Sequence, residues 1–232
     1  METERDINNK SLEESSIRYV KENTKLIQHA FADPGKFPGV EKPTSVFMAG
    51  SPGAGKTEFS RQFVKDIAKP IVRIDADEIR NMLPQYNGNA SLMQKASALG
   101  VEKLYDFALD HNQDLILDGT LVDYEKAKTN IKRSLNRDRA IQVFYIYQDP
   151  VIAWEFTKKR EVIEGRGIPK EYFIHAFFSA WNNVIRLKEE FADQIQLNLI
   201  TKNFENDIEH SWYNIAGIDL YLDIGYTDEE LR

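Results

Sequence analysis

Eight residues, Gly50-Ser51-Pro52-Gly53-Ala54-Gly55-Lys56-Thr57, follow the spacing G-x-x-x-x-G-K-[ST]. Residues of these types in this order make a phosphate cradle. The glycines let consecutive backbone N–H groups turn inward, and a helix that starts here adds its positive end to their field. A lysine at this place reaches the outer phosphates of a triphosphate, and the Thr57 hydroxyl is a hard oxygen suited to Mg²⁺. The loop from Gly50 to Thr57, with Glu58 after it, is therefore the expected binding site for ATP or GTP, and Thr57 the expected metal ligand. Such a loop works only between a strand and a helix. The apolar run Val46-Phe47-Met48-Ala49 precedes it, and Phe59, Phe63, Val64 and Ile67 recur at helical spacing behind it.

In open α/β sheets ligands gather at the carboxyl ends of the strands, so polar residues that end apolar runs are the next candidates. Ile71-Val72-Arg73-Ile74 ends at Asp75, followed by Asp77 and Arg80, and Leu115-Ile116-Leu117 ends at Asp118, followed by Gly119 and Thr120. A carboxylate beside a γ-phosphate can take a hydroxyl proton, orient a water or hold Mg²⁺ through its water shell. Asp75 serves equally well as a helix cap. A second acid at Asp77 exceeds what capping needs. Asp118 reads either as the Mg²⁺-associated acid or as a turn carboxylate before Gly119, and Arg80 takes part only if its helix face looks into the cleft. Further on, Lys158-Lys159-Arg160 and Arg166 lie where Gly165 and Gly167 permit bending. Arginines on such a segment can close over phosphates and offset charge on a transferred group. A solvated helix face is the competing reading.

The elements that must hold these residues alternate. A helix from the Ser11-x-x-Glu14 capping box to about Asp33 comes first. A Pro/Gly-rich linker then leads to the loop strand. Strand-like runs follow near Ile71–Asp75, Leu115–Asp118, Ile141–Tyr147 and Ile195–Ile200, separated by helical stretches, of which the last runs from Pro169 to about Phe191. Near-continuous apolar strands alternating with helices predict a three-layer α/β sandwich of the P-loop type, with a mostly parallel five-stranded sheet. The division is residues 1–43 as a helical extension and linker, too small to fold alone, and 44–232 as the main domain with a lid near 158–170. The final thirty residues are not placed. Phe173, Phe177, Phe178 and Trp181 share a helical spacing that belongs to a core, and the four histidines have no ligand spacing.

Composition narrows the partners. With 30 basic and 37 acidic residues the net charge is −7, which argues against holding a nucleic-acid backbone. The chain has no cysteine, which suits a cytoplasmic compartment. Met-Glu-Thr-Glu-Arg-Asp at the start lacks the charge and apolar pattern of a secretion signal, and no run approaches a membrane span.

Taken together, the loop, the Ile74-Asp-x-Asp-x-x-Arg80 run followed by Pro84, the Asp118-Gly-Thr120 turn and the pair Arg160/Arg166 before Ile168-Pro169 resemble the zeta toxin family of P-loop kinases. The resemblance covers about residues 44–190. It implies a kinase that moves the γ-phosphate of ATP to the 3′-hydroxyl of the sugar in UDP-N-acetylglucosamine. In that reading Asp77 is the general base. Arg80, Glu102, Asp118 and Thr120, with Asp75 beside them, contact the substrate, and Arg160 and Arg166 join Lys56 in stabilising the phosphoryl group. A small antitoxin protein covering the ATP cleft is the implied partner, and the N-terminal helix is a candidate for the same role in cis. The chain departs from the family in carrying Asp118 where glutamate is usual, Val122 where arginine is usual, and a shorter lid. All three changes touch the acceptor side more than the ATP side.

Overall fold

The computed structural model describes residues 4–84, 86, 90–164 and 167–232. In chain order the elements are α1 (Glu4–Glu22), α2 (Thr24–Ala32), β1 (Thr44–Ala49), α3 (Lys56–Asp66), β2 (Val72–Asp75), α4 (Ala76–Asn81), α5 (Gln94–Asp110), β3 (Leu115–Asp118), α6 (Tyr124–Leu135), β4 (Ala140–Tyr147), α7 (Pro150–Glu164), α8 (Lys170–Phe191), β5 (Gln196–Lys202), β6 (Ile208–Trp212) and α9 (Asp228–Leu231). Short 3-10 turns lie at Ser91–Met93, Ala192–Gln194 and Ile218–Leu220.

The glycine loop leaves from the interior of a six-stranded sheet with the order β2-β3-β1-β4-β5-β6. Strand β1 shows why it lies there. Val46 and Met48 face one side of the sheet, Phe47 and Ala49 the other, and all four are buried. A strand without a polar face is stable only when helices cover both sides. Helix α3 covers the first side, where Phe59 and Phe63 meet Phe144 of β4 at ring separations of 5.4 and 5.2 Å. On the second side Ala96, Leu104 and Ala108 of α5, Ala127 and Ile131 of α6, and Ala180, Val184 and Leu187 of α8 share one core with Phe47 and Tyr145. Phe173, Phe177, Phe178 and Trp181 of α8 are core residues, with Phe173 and Phe177 buried, Phe178 packed against Phe177 and Trp181 edge-on to Tyr145.

Strands β1 to β5 are parallel, and β6 runs antiparallel to β5. The sheet therefore has one strand more than the five expected. Ile-Glu-His-Ser-Trp carries no apolar run, and most of β6 is exposed. Only its pairing with β5, Leu199 opposite Trp212, makes it a strand. At the other end of the chain α1 begins well before Ser11, so that serine is interior rather than capping, and the helix breaks at Asn23 before α2. A cap preference of about 1 kcal/mol does not stop earlier residues from joining the helix. Val20, Ile27 and Ala32 lie in the same core as Phe47 and Leu104. Gln113 Nε2 donates to the carbonyls of Ala32 (2.8 Å) and Phe37 (2.6 Å), tying the linker to the end of α5. No helix among the described residues is long and apolar enough to cross a membrane.

Candidate active site

Helix α3 starts directly from the loop, with Gly55 as N-cap in the left-handed region (φ 82°). Gly53 is also left-handed (φ 75°), and a Cβ there would stand 2.1 Å from the Ala153 carbonyl oxygen of α7. At Gly55 a Cβ would stand 2.5 Å from the Asn206 amide oxygen, at the tip of the β5–β6 hairpin. The loop is thus gripped between α7 and that hairpin at a distance only glycine allows.

Lys56 opens α3 and is buried, its Nζ donating to the Ser51 carbonyl at 2.6 Å. Burial pulls its ammonium from 10.5 down to about 8; Asp118 works against that shift and Arg160 adds to it. A cation so short of solvation gains from an anion laid beside it.

A pocket of about 330 Å³ opens over the loop, lined by Gly53, Lys56, Thr57, Glu58, Asp75, Asp118 and Thr120, with Phe156, Lys159 and Asn206 around it. A larger cleft of about 540 Å³ is walled by Arg80, Ser91, Gln94, Thr157, Ile168 and Tyr172. Pro52, Asp77 and Arg160 line both spaces. The junction is built from the end of β2. Asp75 ends the strand and caps α4, its Oδ1 accepting the Asp77 N–H at 2.8 Å. That cap orients the first turn of α4, which carries Asp77. The Asp77 carboxylate meets Arg80 Nη1 through Oδ1, and Arg160 Nη2 lies 3.7 Å from its Oδ2. Arg80 is buried and also donates to Gln94 Oε1 at 3.2 Å.

One participant has no counterpart in the motif reading. Arg73, inside β2, points to the α3 side of the sheet. Its Nη1 donates to Asp118 Oδ2 (2.6 Å) and Asp75 Oδ2 (2.9 Å), and its Nη2 to Glu78. Ser60 of α3 bonds the same Asp118 oxygen at 2.8 Å. Asp75 and Asp118 are register partners on adjacent strands. Burial, and after it the neighbouring Asp118, pushes the Asp75 carboxyl above its usual range, while the Asp77 N–H and Arg73 pull it back. The sequence does hold a signal for Arg73. A charged residue two positions before an acid, in an otherwise apolar strand, shares that acid's face.

The sequence matches the zeta toxin family model over residues 28–216. The chain belongs to the zeta toxin family. Membership places it among the kinase-like, nucleotide-using enzymes of the P-loop class. A structure from the PezAT chromosomal toxin–antitoxin system of Streptococcus pneumoniae superposes with a TM-score of 0.60 at 19% identity, covering 85% of this chain and 80% of that one. The AvrRxo1-ORF1:-ORF2 structure with ATP gives 0.61 at 13% identity, covering 91% and 70%. At these identities the likeness is one of fold. A comparison with curated proteins returned no match.

In this member of the family the residues expected at the site divide into groups. Lys56, Thr57, Asp75, Asp118 and Thr120 gather on the phosphate side, Arg80 on the larger cleft, and Asp77 with Arg160 between them. Asp118, expected as a substrate contact, lines the phosphate pocket, with Ser60 and Arg73 both bonded to its Oδ2. Glu102 is not brought to either space. It sits on α5 facing α6, paired with Arg133 (3.0 Å) and Lys126 (3.4 Å). Arg166 and Gly165 lie outside the described residues; Gly167 and Ile168, just beyond, wall the larger cleft. Among the described residues none from 4–43 lines either space. Helices α1 and α2 pack on α5 instead, with Glu13 paired to Lys95 and the Ser16 hydroxyl against Met93, so they do not cover the nucleotide pocket.

Proposed function

We propose that this protein transfers the γ-phosphate of ATP to a hydroxyl of a small molecule held in the 540 Å³ cleft, a nucleotide-activated sugar being the acceptor class to test first. The observation that carries this reading is the place of Asp77, on the wall shared by the phosphate pocket and the larger cleft. A carboxylate there can take the proton of a hydroxyl presented from one side as the phosphate approaches from the other.

The roles follow from the geometry. The loop amides and Lys56 receive the phosphates, and Lys56 regains through them the stabilisation that burial removed. Asp75 holds the first turn of α4, and with it Asp77, in place. Arg160 spans both spaces and offsets charge on the group in flight. Arg80 and Gln94 offer N–H donors toward the acceptor, and the Tyr172 ring offers an apolar face. Thr57 and Asp118 supply hard oxygens in the phosphate pocket and fit Mg²⁺. When bound, Mg²⁺ would neutralise phosphate charge. A small antitoxin is the partner this reading expects, in keeping with the toxin–antitoxin system that names one structural neighbour. UDP-N-acetylglucosamine is the acceptor that the family resemblance implies, and Asp118, Val122 and the shorter lid are where this chain departs from the family pattern.

The test is incubation with labelled ATP and a panel of UDP-sugars, nucleosides and oligonucleotide ends, read by mass spectrometry. Asp77→Asn should lower kcat by at least about 100-fold while changing the nucleotide KM by less than about threefold. Full turnover by Asp77→Asn removes the base assignment. Phosphate release with no phosphorylated acceptor favours a slow hydrolytic switch and removes the kinase reading.

A further inference from the structure

We propose that Arg73 is a built-in cation that occupies the space between Asp75 and Asp118, so that a divalent metal settles at this strand end only when a nucleotide brings it. The inference deepens the phosphoryl-transfer reading and rests on it only for the role of Asp118 beside the nucleotide-borne Mg²⁺. The argument begins with the register. Asp75 and Asp118 end adjacent parallel strands directly opposite each other. Both side chains are under 10% exposed, at 9% and 4%. Two carboxylates so placed repel each other and attract any small hard cation. Glu78, in the first turn of α4, adds a third.

A single guanidinium answers all three. Nη1 of Arg73 is shared by Asp75 Oδ2 and Asp118 Oδ2, at 2.9 and 2.6 Å, and Nη2 goes to Glu78. Arg73 is itself only 10% exposed, so water does little to screen these pairs. Arg61 of α3 reaches Glu78 from the other side at 3.2 Å, so the outer acid is also shared. Both described bonds to Asp118, from Arg73 and from Ser60, fall on Oδ2. Its Oδ1 has no hydrogen-bond partner among the described residues. The arrangement leaves one oxygen of Asp118 to the phosphate pocket and fills the chelating position between the two acids. A metal then has too few protein ligands to bind alone, and phosphate oxygens must complete its shell.

The probe is Mn²⁺ without nucleotide, followed by electron paramagnetic resonance and by thermal unfolding. Mn²⁺ shares the oxygen preference of Mg²⁺. The wild-type protein should show no saturable Mn²⁺ binding at concentrations where Arg73→Gln binds one ion at least about tenfold more tightly, with a matching rise in melting temperature. Adding Asp118→Asn to Arg73→Gln should abolish the gain. If Arg73→Gln folds poorly, Mn²⁺ should restore its fold, because the ion takes the place of the lost cation. Saturable wild-type binding at the same concentrations overturns the proposal. So does a folded Arg73→Gln with an unchanged titration, or an unfolded one that Mn²⁺ does not rescue. No readout involves phosphoryl transfer, so a protein with no acceptor-dependent activity would lose the kinase reading and still decide the role of Arg73.

Discussion

Lys56→Met should make the nucleotide-free protein more stable while removing its response to nucleotide. The lysine is buried, and its ammonium is pulled from 10.5 to about 8 chiefly by that burial. At about 1.4 kcal/mol per pH unit, holding the buried charge without a phosphate beside it costs the fold roughly 3 kcal/mol at neutral pH. Methionine keeps much of the aliphatic stem and carries no charge. Against the gain stands the bond from Nζ to the Ser51 carbonyl, whose loss costs about 1 kcal/mol. The net is a stabilisation of about 2 kcal/mol, or a rise in Tm of roughly 4–8 °C for a chain of this size. The effect has a pH signature. Between about 8 and 10.5 the unfolded wild type still binds a proton that the folded form has released. Wild-type stability from this group therefore rises across that window, and the gap to Lys56→Met closes as it does. Thermal melts without nucleotide at neutral pH and near pH 10, then with ATP, measure all three effects. A variant less stable than wild type at neutral pH, or a gap that does not change with pH, would refute the reasoning.

Gly53→Ala forces a left-handed φ on a residue with a Cβ and drives that Cβ into the Ala153 carbonyl, so it should cost at least about 2 kcal/mol and weaken nucleotide binding together. Denaturant unfolding and a nucleotide titration on the same preparation check it, and an alanine variant with wild-type values on both would show that α7 does not grip the loop. Ile27→Ala should cost about 2–5 kcal/mol although it lies outside the α/β domain proper, because Ile27 is 1% exposed within the main core. Urea denaturation decides it, and a loss under about 1 kcal/mol would mean that the N-terminal helices are a detachable appendage.

The parts that were legible are those fixed by local pattern. Strand β1, the loop and α3 follow from one motif flanked by apolar runs, and Asp75 and Asp118 are strand-end acids in a parallel sheet, with Asp77 two residues past the first. Strand β6 was not legible, because its five residues owe their form to a partner strand rather than to their own alternation. Glu102 illustrates the opposite failure. Its spacing before Asp118 is the one the family resemblance implies for a site residue, but spacing along a helix does not say which way the helix face turns, and here Arg133 and Lys126 of α6 claim it. Arg73 lay in plain sight as a charge in an apolar strand. Its meaning needs the register that sets Asp75 opposite Asp118.

The grip of the hairpin on the loop has a consequence in time. Ser45, at the root of the loop strand, pairs with Leu115 on one side and Ile141 on the other, and the residue packed against Gly55 is Asn206. Every wall of the nucleotide pocket except the loop itself is encoded downstream. A ribosome adding about 5–20 residues per second adds Asn206 roughly 8–30 s after Lys56. The strands that flank β1 are complete by Tyr147, but until Asn206 is made the glycine motif has no hairpin to close it. The order of synthesis therefore delays closure of the nucleotide pocket until well after its phosphate loop has been made.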